Sequence, residues 1–217
     1  MVDEAGGAAP VAATPPRSRR RPARRPRRSS AFALRPPPLL PARVYLTGFM
    51  ASGKSTVGPL AADRLGYRFV DLDWLVEART GRTVPALFAS GGEAAFRAAE
   101  AAALVETTRA EGLVVATGGG ALVDPDNLRV ARAAGPVVWL RASVEATLAR
   151  LGDASGRPLL DDRAGRPLQG DALVFRVRRL LADREPHYAL ADLVVDADGD
   201  PAVVARAVAE AVAGHGA

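Results

Sequence analysis

The segment Gly48-Phe49-Met50-Ala51-Ser52-Gly53-Lys54-Ser55 decides the fold that this sequence predicts. It matches the pattern G-x-x-x-x-G-K-[ST], in which glycines let consecutive backbone N–H groups turn toward one anion. Residues 43–47 before it form a short apolar run typical of a strand, and residues 56–65 after it have a helical pattern. Strand, loop and helix in this order is the context in which the pattern binds nucleotide phosphates.

Lys54 is the one lysine in a chain of 217 residues that also holds 28 arginines. A slim ammonium reaches between the β- and γ-phosphates of ATP, where a planar guanidinium would crowd the loop. Because the chain keeps lysine at this position alone, the sequence favours ATP chemistry over a Gly/Ser turn that matches by accident.

Composition limits the remaining classes of protein. The 48% hydrophobic content is sufficient for the core of one α/β domain. The chain has no cysteine, which excludes disulfides, thiolate nucleophiles and cysteine-based metal sites. No apolar run approaches the roughly 20 residues needed to span a bilayer, so we expect no membrane contact and a cytoplasmic location.

Residues 1–42 predict a disordered Arg/Pro/Ala-rich extension, with eight arginines between Arg17 and Arg28. The chain's formal charge of +5 is concentrated there, since residues 1–43 hold ten arginines against two acids. Three interpretations remain open: an extension without function or a mis-assigned start, an electrostatic arm for nucleic acid or acidic partners, and an organelle transit segment. No apolar segment follows the arginines, which disfavours a secretory signal.

Residues 43–217 predict a folded domain in which short apolar runs alternate with longer helical patterns. This rhythm is typical of a mainly parallel, doubly wound sheet, whose ligands bind beyond the carboxyl ends of the strands. The predicted strands lie near residues 43–47, 68–71, 113–117, 136–140 and 192–195. Pro59 interrupts the first helix, where it removes a backbone bond to Ser55.

Two carboxylates, Asp71 and Asp73, follow the second predicted strand. Strand periodicity places both on one side of the chain at the ligand-binding edge. There they suit water-mediated Mg²⁺ binding and orientation of a substrate hydroxyl. Capping of a helix predicted from Trp74 is an alternative role for one of them.

Arg97 and Glu100 share a face of a helix that is predicted to open at Gly91-Gly92-Glu93. Glu93 and Arg97 also have the spacing of an ordinary surface pair.

Three glycines, Gly118-Gly119-Gly120, follow the third strand. They indicate close approach to a ligand or to the phosphate loop, with a plain flexible turn as the alternative.

A polar segment over about residues 151–171 predicts a lid, because long loops in compact domains are usually functional or disordered. It contains Gly-Arg-Pro-Leu twice, around Arg157 and Arg166, and the sequence does not decide whether Arg166 shares the lid role.

Pro186 is expected to stop or kink the helix that carries Arg184. His187 and His215 have no neighbours that suggest catalysis.

These motifs, G-x-x-x-x-G-K-S-T, D-x-D, F-R-x-x-E, G-G-G, R-P-L-L and R-x-P-x-Y, occur in an order and spacing that resemble the shikimate kinase family over residues 43–215. The resemblance implies a P-loop kinase fold of the nucleoside-monophosphate-kinase type, with a five-stranded parallel sheet flanked by helices and a mobile lid. It also implies transfer of the γ-phosphoryl group of ATP to the 3-hydroxyl of shikimate, in aromatic amino-acid (chorismate) biosynthesis, by a monomer.

The resemblance also implies site residues. Lys54, Asp73 and Arg157 would be catalytic, Ser55 would bind Mg²⁺ and Asp71 would reach it through water. The ATP-binding residues would be Ala51, Ser52, Gly53, Lys54, Ser55, Thr56, Arg150 and Arg157, with Arg150 at the adenine-stacking position. The shikimate-binding residues would be Asp73, Arg97, Gly119 and Arg184, with Glu100 holding Arg97 and with Val84, Phe88 and Phe96 along the apolar side of the ring.

Two rival functions remain. Another small-molecule P-loop kinase, such as a gluconate kinase, shares the phosphate loop and lid arginines but does not explain two guanidiniums aimed at a carboxylate. A nucleotide-gated protein that binds nucleic acid through residues 1–42 is the second rival, and its binding would weaken steeply with salt.

Overall fold

The computed structural model describes residues 40–152, 157–162 and 164–215. Most of the predicted extension, residues 1–39, lies outside these ranges, as do residues 153–156 and 163 of the predicted lid. The described residues belong to one compact unit, Pro37–Ala217. None of their helices is both long and apolar enough to cross a membrane.

Strands and helices alternate along the described residues. The strands are β1 Arg43–Thr47, β2 Arg68–Asp71, β3 Leu113–Ala116, β4 Val137–Arg141 and β5 Leu193–Asp196. The α-helices are α1 Lys54–Leu65, α2 Leu72–Thr80, α3 Val84–Thr107, α4 Pro125–Ala134, α5 Val144–Leu151, α6 Gly170–Tyr188 and α7 Pro201–His215. Short 3-10 turns lie at Ala121–Val123 and Pro158–Leu160.

The strands form one parallel sheet in the order β2-β3-β1-β4-β5, which confirms the predicted five-stranded parallel sheet. Because β1 lies at the centre between β3 and β4, the loops that follow β1 and β3 emerge side by side at one edge. The residues that the sequence singled out after β1, β2 and β3 therefore meet at that edge.

Both faces of the central strands are buried. Val44 and Leu46 of β1 pack with α1 and α7 on one face, while Tyr45 packs with α2 and α3 on the other. Each fully buried Val or Leu side chain contributes roughly 1.5–3 kcal/mol relative to exposure. This two-sided core fixes the positions of the strand ends that carry the site.

Several helix boundaries differ from the predictions, for local reasons. α1 begins at Lys54, two residues early, after Gly53 with a φ of 99°, and it continues through the exposed Pro59. α2 begins at Leu72 because Asp71 caps it, accepting from the Asp73 N–H at 3.0 Å. Asp73 is therefore a residue of the first helical turn, and strand periodicity was the wrong reason for its orientation.

The two helices that carry the predicted guanidiniums are longer than expected. α3 starts at Val84, where Thr83 caps it, and it bends at Gly92, whose φ of 68° and ψ of −172° are not helical. The predicted opening at Gly91-Gly92-Glu93 corresponds to this bend. α6 passes through Pro186 and ends two residues later at Tyr188, so this proline neither stops the helix at its own position nor interrupts it earlier.

Candidate active site

The loop between β1 and α1 has the backbone of an anion nest. Gly48 and Gly53 have φ values of 141° and 99°, and Ala51, with a φ of 58°, is the single non-glycine residue with positive φ in the described ranges. A Cβ on Gly48 would lie 2.6 Å from the Leu140 carbonyl oxygen, so the loop is pressed against the end of β4. Successive turns of this kind direct N–H groups toward one anion.

The Lys54 ammonium is enclosed by this loop. Its Nζ donates to the carbonyl oxygens of Gly48 at 2.8 Å and Phe49 at 2.9 Å. Although Lys54 as a residue is partly exposed, burial of the ammonium lowers its pKa to about 8, against the opposing effect of the Asp73 and Asp71 carboxylates. The ammonium thus lacks full hydration. A negatively charged phosphate would be a stronger partner for it than the two neutral carbonyl oxygens.

Ser55 and Asp71 lie together beside Lys54. Ser55 Oγ donates to Asp71 Oδ2 at 2.7 Å. A hydroxyl and a carboxylate oxygen at the mouth of a phosphate loop are the hard donors that Mg²⁺ prefers when nucleotide phosphates supply further ligands. The residues present therefore fit a magnesium ion bound with a nucleotide.

Asp73 points into the site with one oxygen unpaired. Its Oδ1 is buried and has no hydrogen-bond partner in the described part of the chain. Burial raises the pKa of Asp73, the nearby Asp71 raises it further, and Lys54 opposes both. A carboxylate with a raised pKa and a free acceptor oxygen is suited to orient a hydroxyl and take its proton.

Arg97 is held by two glutamates. Its Nη1 donates to the fully buried Glu100 at 2.7 Å, and its Nη2 donates to the exposed Glu93 at 3.2 Å. Burial raises the pKa of Glu100, while the Arg97 guanidinium lowers it. The predicted Arg97–Glu100 contact and the surface pair with Glu93 therefore both occur.

The three glycines after β3 are packed rather than free. A Cβ on Gly118 would lie 2.4 Å from Glu100 Oε1, and a Cβ on Gly120 would lie 2.8 Å from Arg97 Nη2. A Cβ on Gly119 would lie 3.4 Å from the Gly48 carbonyl oxygen. The expected close approach is thus to the phosphate loop and to the side chains that hold the guanidinium, and a plain flexible turn does not account for it.

Two cavities meet at this edge of the sheet. One, of about 340 Å³, is lined by Asp73, Arg97 and Arg184. Its apolar wall includes Val84, Pro85, Phe88 and Phe96. We call it the acceptor cavity, because it combines guanidiniums for an anion with a carboxylate for a hydroxyl.

The second cavity, of about 320 Å³, is lined by the phosphate loop and by Asp71. We call it the phosphate cavity. From the loop it includes Ala51, Gly53, Lys54, Ser55 and Thr56. Ser52 is buried beneath the loop and does not border the cavity. The two cavities share the residues Met50, Asp73, Gly118, Gly119 and Arg157.

The two lid arginines have different environments. Arg157 borders both cavities. Arg166 is exposed and bonded to Asp162, with Nη2 at 2.8 Å and Nε at 3.0 Å from the same carboxylate oxygen. Hydrogen bonds from Arg166 also lower the pKa of Asp162. Of the two Gly-Arg-Pro-Leu arginines, the structure brings only Arg157 to the site.

Arg150 and Arg184 have different surroundings. Arg150 is in the last turn of α5, donates to the Ala197 carbonyl oxygen at 2.7 Å and borders neither cavity. Arg184 of α6 borders the acceptor cavity and lies over the Phe49 ring at 5.8 Å.

Several residues near the site were given no catalytic or binding role from the sequence. Met50 borders both cavities and Glu93 borders the acceptor cavity, while the Tyr188 hydroxyl bonds to the Gly119 carbonyl oxygen. Tyr188 is the last residue of the R-x-P-x-Y motif, so the motif already marked it as a candidate. Its partner Gly119, however, is 69 residues away in the sequence. Such a contact follows from the fold and not from local spacing.

A parallel sheet with the phosphate loop after its central strand, together with a nucleotide-phosphate cavity that opens on an acceptor cavity, defines a small P-loop kinase. Residues 50–213 match the family model described as shikimate kinase. The chain belongs to the shikimate kinase family.

Relatives agree over most of the chain. The shikimate kinase of Salinibacter ruber is 49% identical over 173 residues, covering 79% of this chain and 85% of the relative. That of Halorhodospira halophila is 45% identical, covering 81% of this chain and 96% of the relative.

One solved structure gives the same assignment, and a second gives the fold alone. The Acinetobacter baumannii shikimate kinase, in complex with shikimate, is 34% identical with a TM-score of 0.72, covering 82% of this chain and 96% of that one. A gluconokinase from Sinorhizobium meliloti has a TM-score of 0.51 at 19% identity over 82% of this chain and 94% of that one, which shows a shared fold alone.

Proposed function

We propose that this protein transfers the γ-phosphoryl group of ATP to the 3-hydroxyl of shikimate, giving shikimate 3-phosphate and ADP in aromatic amino-acid biosynthesis. One observation carries the proposal: a cavity lined by the Arg97 and Arg184 guanidiniums and the partly buried Asp73 carboxylate shares part of its lining with the phosphate cavity. A hydroxylated ring acid needs both features, a clamp for its carboxylate and an acceptor for its hydroxyl proton.

ATP is bound by the phosphate loop in this proposal. Lys54 exchanges its carbonyl acceptors for the β- and γ-phosphate oxygens, while the N-terminus of α1 adds its positive dipole end. Arg150 stacks on the adenine. The loop residues that contribute backbone amides or side chains are Ala51, Ser52, Gly53, Lys54, Ser55 and Thr56.

In this proposal Ser55 would bind Mg²⁺ directly, and Asp71 would reach it through water. The observed contact between their oxygens supports this pairing. When bound, the ion neutralises charge on the β- and γ-phosphates.

The acceptor cavity binds shikimate through its carboxylate and hydroxyls. Arg97 and Arg184 bind the carboxylate, a task suited to planar guanidiniums. Glu100 fixes the orientation of Arg97, and the backbone N–H of Gly119 contacts the substrate. The apolar wall excludes water from the ring face.

Transfer takes place where the two cavities meet. Asp73 orients the 3-hydroxyl and accepts its proton as the oxygen bonds to the γ-phosphorus and the bond to the ADP oxygen breaks. Arg157 stabilises the negative charge on the transferring phosphoryl group, and Lys54 stabilises the charge that develops on the β-phosphate of the leaving ADP. Positioning and charge stabilisation supply most of the catalysis in such reactions.

Three further parts of the proposal concern the whole chain. We propose that residues 43–217 carry the activity with a lid over about residues 151–171, that residues 1–42 are not required for it, and that the enzyme works as a monomer in the cytoplasm. We expect no nucleic-acid binding by residues 43–217, and the basic extension is the segment whose charge suits it.

The decisive experiment mixes the purified protein with ATP, Mg²⁺ and shikimate and measures the products by mass spectrometry. We expect shikimate 3-phosphate and an equal amount of ADP, and no shikimate-dependent ATP consumption by Lys54→Met. Folded wild-type protein that forms no phosphorylated shikimate would refute the proposal. Gluconate in place of shikimate tests the enzymatic rival, and we expect it to be a poor substrate because it lacks the ring that the apolar wall fits.

A further inference from the structure

Tyr188, the last residue of α6, has a buried side chain whose hydroxyl enters the active-site region. The residue is 2% exposed, and its hydroxyl donates to the Gly119 carbonyl oxygen at 2.6 Å. Tyr188 borders neither the acceptor cavity nor the phosphate cavity. Any effect on the reaction must therefore pass through the residues it contacts.

Gly119 is the place where the glycine run meets both the phosphate loop and α6. A Cβ on this glycine would lie 3.4 Å from the Gly48 carbonyl oxygen and 3.6 Å from the Met50 nitrogen. Arg184 Nη1 lies 3.4 Å from the same carbonyl oxygen that the Tyr188 hydroxyl binds. One carbonyl thus has two potential donors, one turn apart on α6.

The two donors are not equivalent. The hydroxyl makes the short bond, and the guanidinium makes a long one at the limit of hydrogen bonding. Because the hydroxyl already satisfies the carbonyl, Arg184 keeps its donors available to the acceptor cavity. Without the hydroxyl, this partly buried carbonyl would draw the guanidinium toward itself, since an acceptor that loses its donor carries a free-energy cost.

Packing fixes the position of the tyrosine ring. The Trp139 ring lies 5.9 Å from it, and both belong to a buried cluster with Phe49 and Leu160. Phe49 also lies beneath the Arg184 guanidinium. The hydroxyl is therefore held against Gly119 by contacts that reach the phosphate loop and the 3-10 turn at Pro158–Leu160.

We propose that Tyr188 is a positioning residue for the acid substrate: its hydroxyl holds the Gly119 carbonyl and thereby leaves the Arg184 guanidinium facing the acceptor cavity. This inference rests on the proposed function, since it assigns Arg184 to the substrate carboxylate.

The test is Tyr188→Phe in steady-state kinetics with shikimate and ATP varied separately. We expect the KM for shikimate to rise about three- to tenfold, as for one lost hydrogen bond, with kcat and the KM for ATP within about twofold of wild type. A merely structural tyrosine would instead lower the melting temperature and leave the KM for shikimate unchanged.

Tyr45→Phe is the matched control. Tyr45 is also fully buried, and its hydroxyl bonds to Thr107 Oγ1 at 3.1 Å, outside both cavities. It should lose comparable stability and keep the wild-type KM for shikimate. A wild-type KM in Tyr188→Phe, or an equal rise in Tyr45→Phe, would overturn the inference.

A double-mutant cycle adds a second measurement. Arg184→Lys and Tyr188→Phe should give less than additive increases in the KM for shikimate, because both act on one guanidinium. Fully additive effects would contradict the coupling. Failure of the proposed function is distinguishable, since then the wild type itself would show no shikimate-dependent ATP consumption.

Discussion

Arg157 and Arg166 stand in identical Gly-Arg-Pro-Leu contexts, yet they have different neighbours in the fold. Arg157 borders both cavities, whereas Arg166 is bonded to Asp162 by its side chain and its backbone N–H. A local motif describes the chain on either side of a residue and not the direction in which the folded chain presents it. The family resemblance favours Arg157 through its R-P-L-L motif, and the structure adds the different neighbours of the two arginines.

Arg157→Ala should lower kcat by about 10²-fold or more, because an arginine at the transferring phosphoryl stabilises charge that develops in the transition state. Arg166→Ala, the matched control, should stay within about twofold of wild type, since an exposed ion pair contributes little. Coupled measurement of ADP release compares the two variants, and equal activities would contradict the assignment of the lid arginine.

Lys54 gives a pH dependence whose sign follows from its lowered pKa. The free ammonium has a pKa of about 8, and phosphate oxygens must raise this pKa when nucleotide binds. Between these two values the free protein is deprotonated and the complex is protonated, so binding takes up a proton and weakens as the pH rises above about 8.

Calorimetry of Mg-ADP binding in buffers of different ionisation enthalpy measures this uptake. We expect a fraction of a proton that grows as the pH rises from about 7.5 to 8.5. Binding enthalpies that are independent of the buffer at pH 8.5 would show that the ammonium is already fully protonated there. The same titration at pH 6.5 is the control, because Lys54 is then protonated in both states.

At the scale of elements, the glycine run after β3 shows why two of its residues, Gly118 and Gly120, cannot carry a Cβ without displacing their neighbours. Gly118 and Gly120 have negative φ angles that alanine could adopt, so sterics alone exclude a side chain. The neighbours are Glu100 and Arg97, which come from α3. The glycine run therefore fixes how closely α3 packs against this edge of the sheet.

Gly118→Ala should raise the KM for shikimate about tenfold, because its Cβ must displace the buried Glu100 carboxylate and with it Arg97. Gly214→Ala in α7 is the control, since nothing lies within 4 Å of its Cβ position. Steady-state kinetics of both variants provides the test. An unchanged KM in Gly118→Ala would show that Arg97 does not depend on Glu100.

Elements were predictable where periodicity and burial agree. All five strands were expected within one residue of their observed bounds, because apolar runs between turn residues leave few alternatives. The start of α2 and the bend at Gly92 were not, since they depend on the Asp71 cap and on one backbone conformation. Which helix faces which glycine follows from the tertiary packing, which local patterns do not contain.

At the scale of the whole molecule, two backbone carbonyls attach the start of the folded unit. Pro41 accepts from the Tyr67 hydroxyl, and Ala42 accepts from the Gly112 N–H at 2.8 Å. We therefore propose that the stably folded unit begins near residue 40, slightly before the residue 43 expected from composition.

Removal of residues 1–39 should leave the melting temperature and kcat/KM for shikimate unchanged. Removal of residues 1–42 should keep activity but lower the melting temperature by about 2–6 °C, since two hydrogen bonds are lost. Differential scanning calorimetry and coupled kinetics measure both variants. Loss of shikimate turnover on removal of residues 1–39 would instead favour a function that resides in the extension.

The shared lining of the two cavities determines what kind of inhibitor would fit this molecule. Asp73, Arg157, Gly118 and Gly119 line both chambers, so the terminal phosphate of one ligand and the ring of the other would lie beside the same residues. A single compound that joins an adenosine polyphosphate to a cyclic hydroxy acid through a short bridge could occupy both chambers. Such a compound would lose translational freedom once on binding, whereas two separate ligands lose it twice. It should therefore bind more tightly than either half alone.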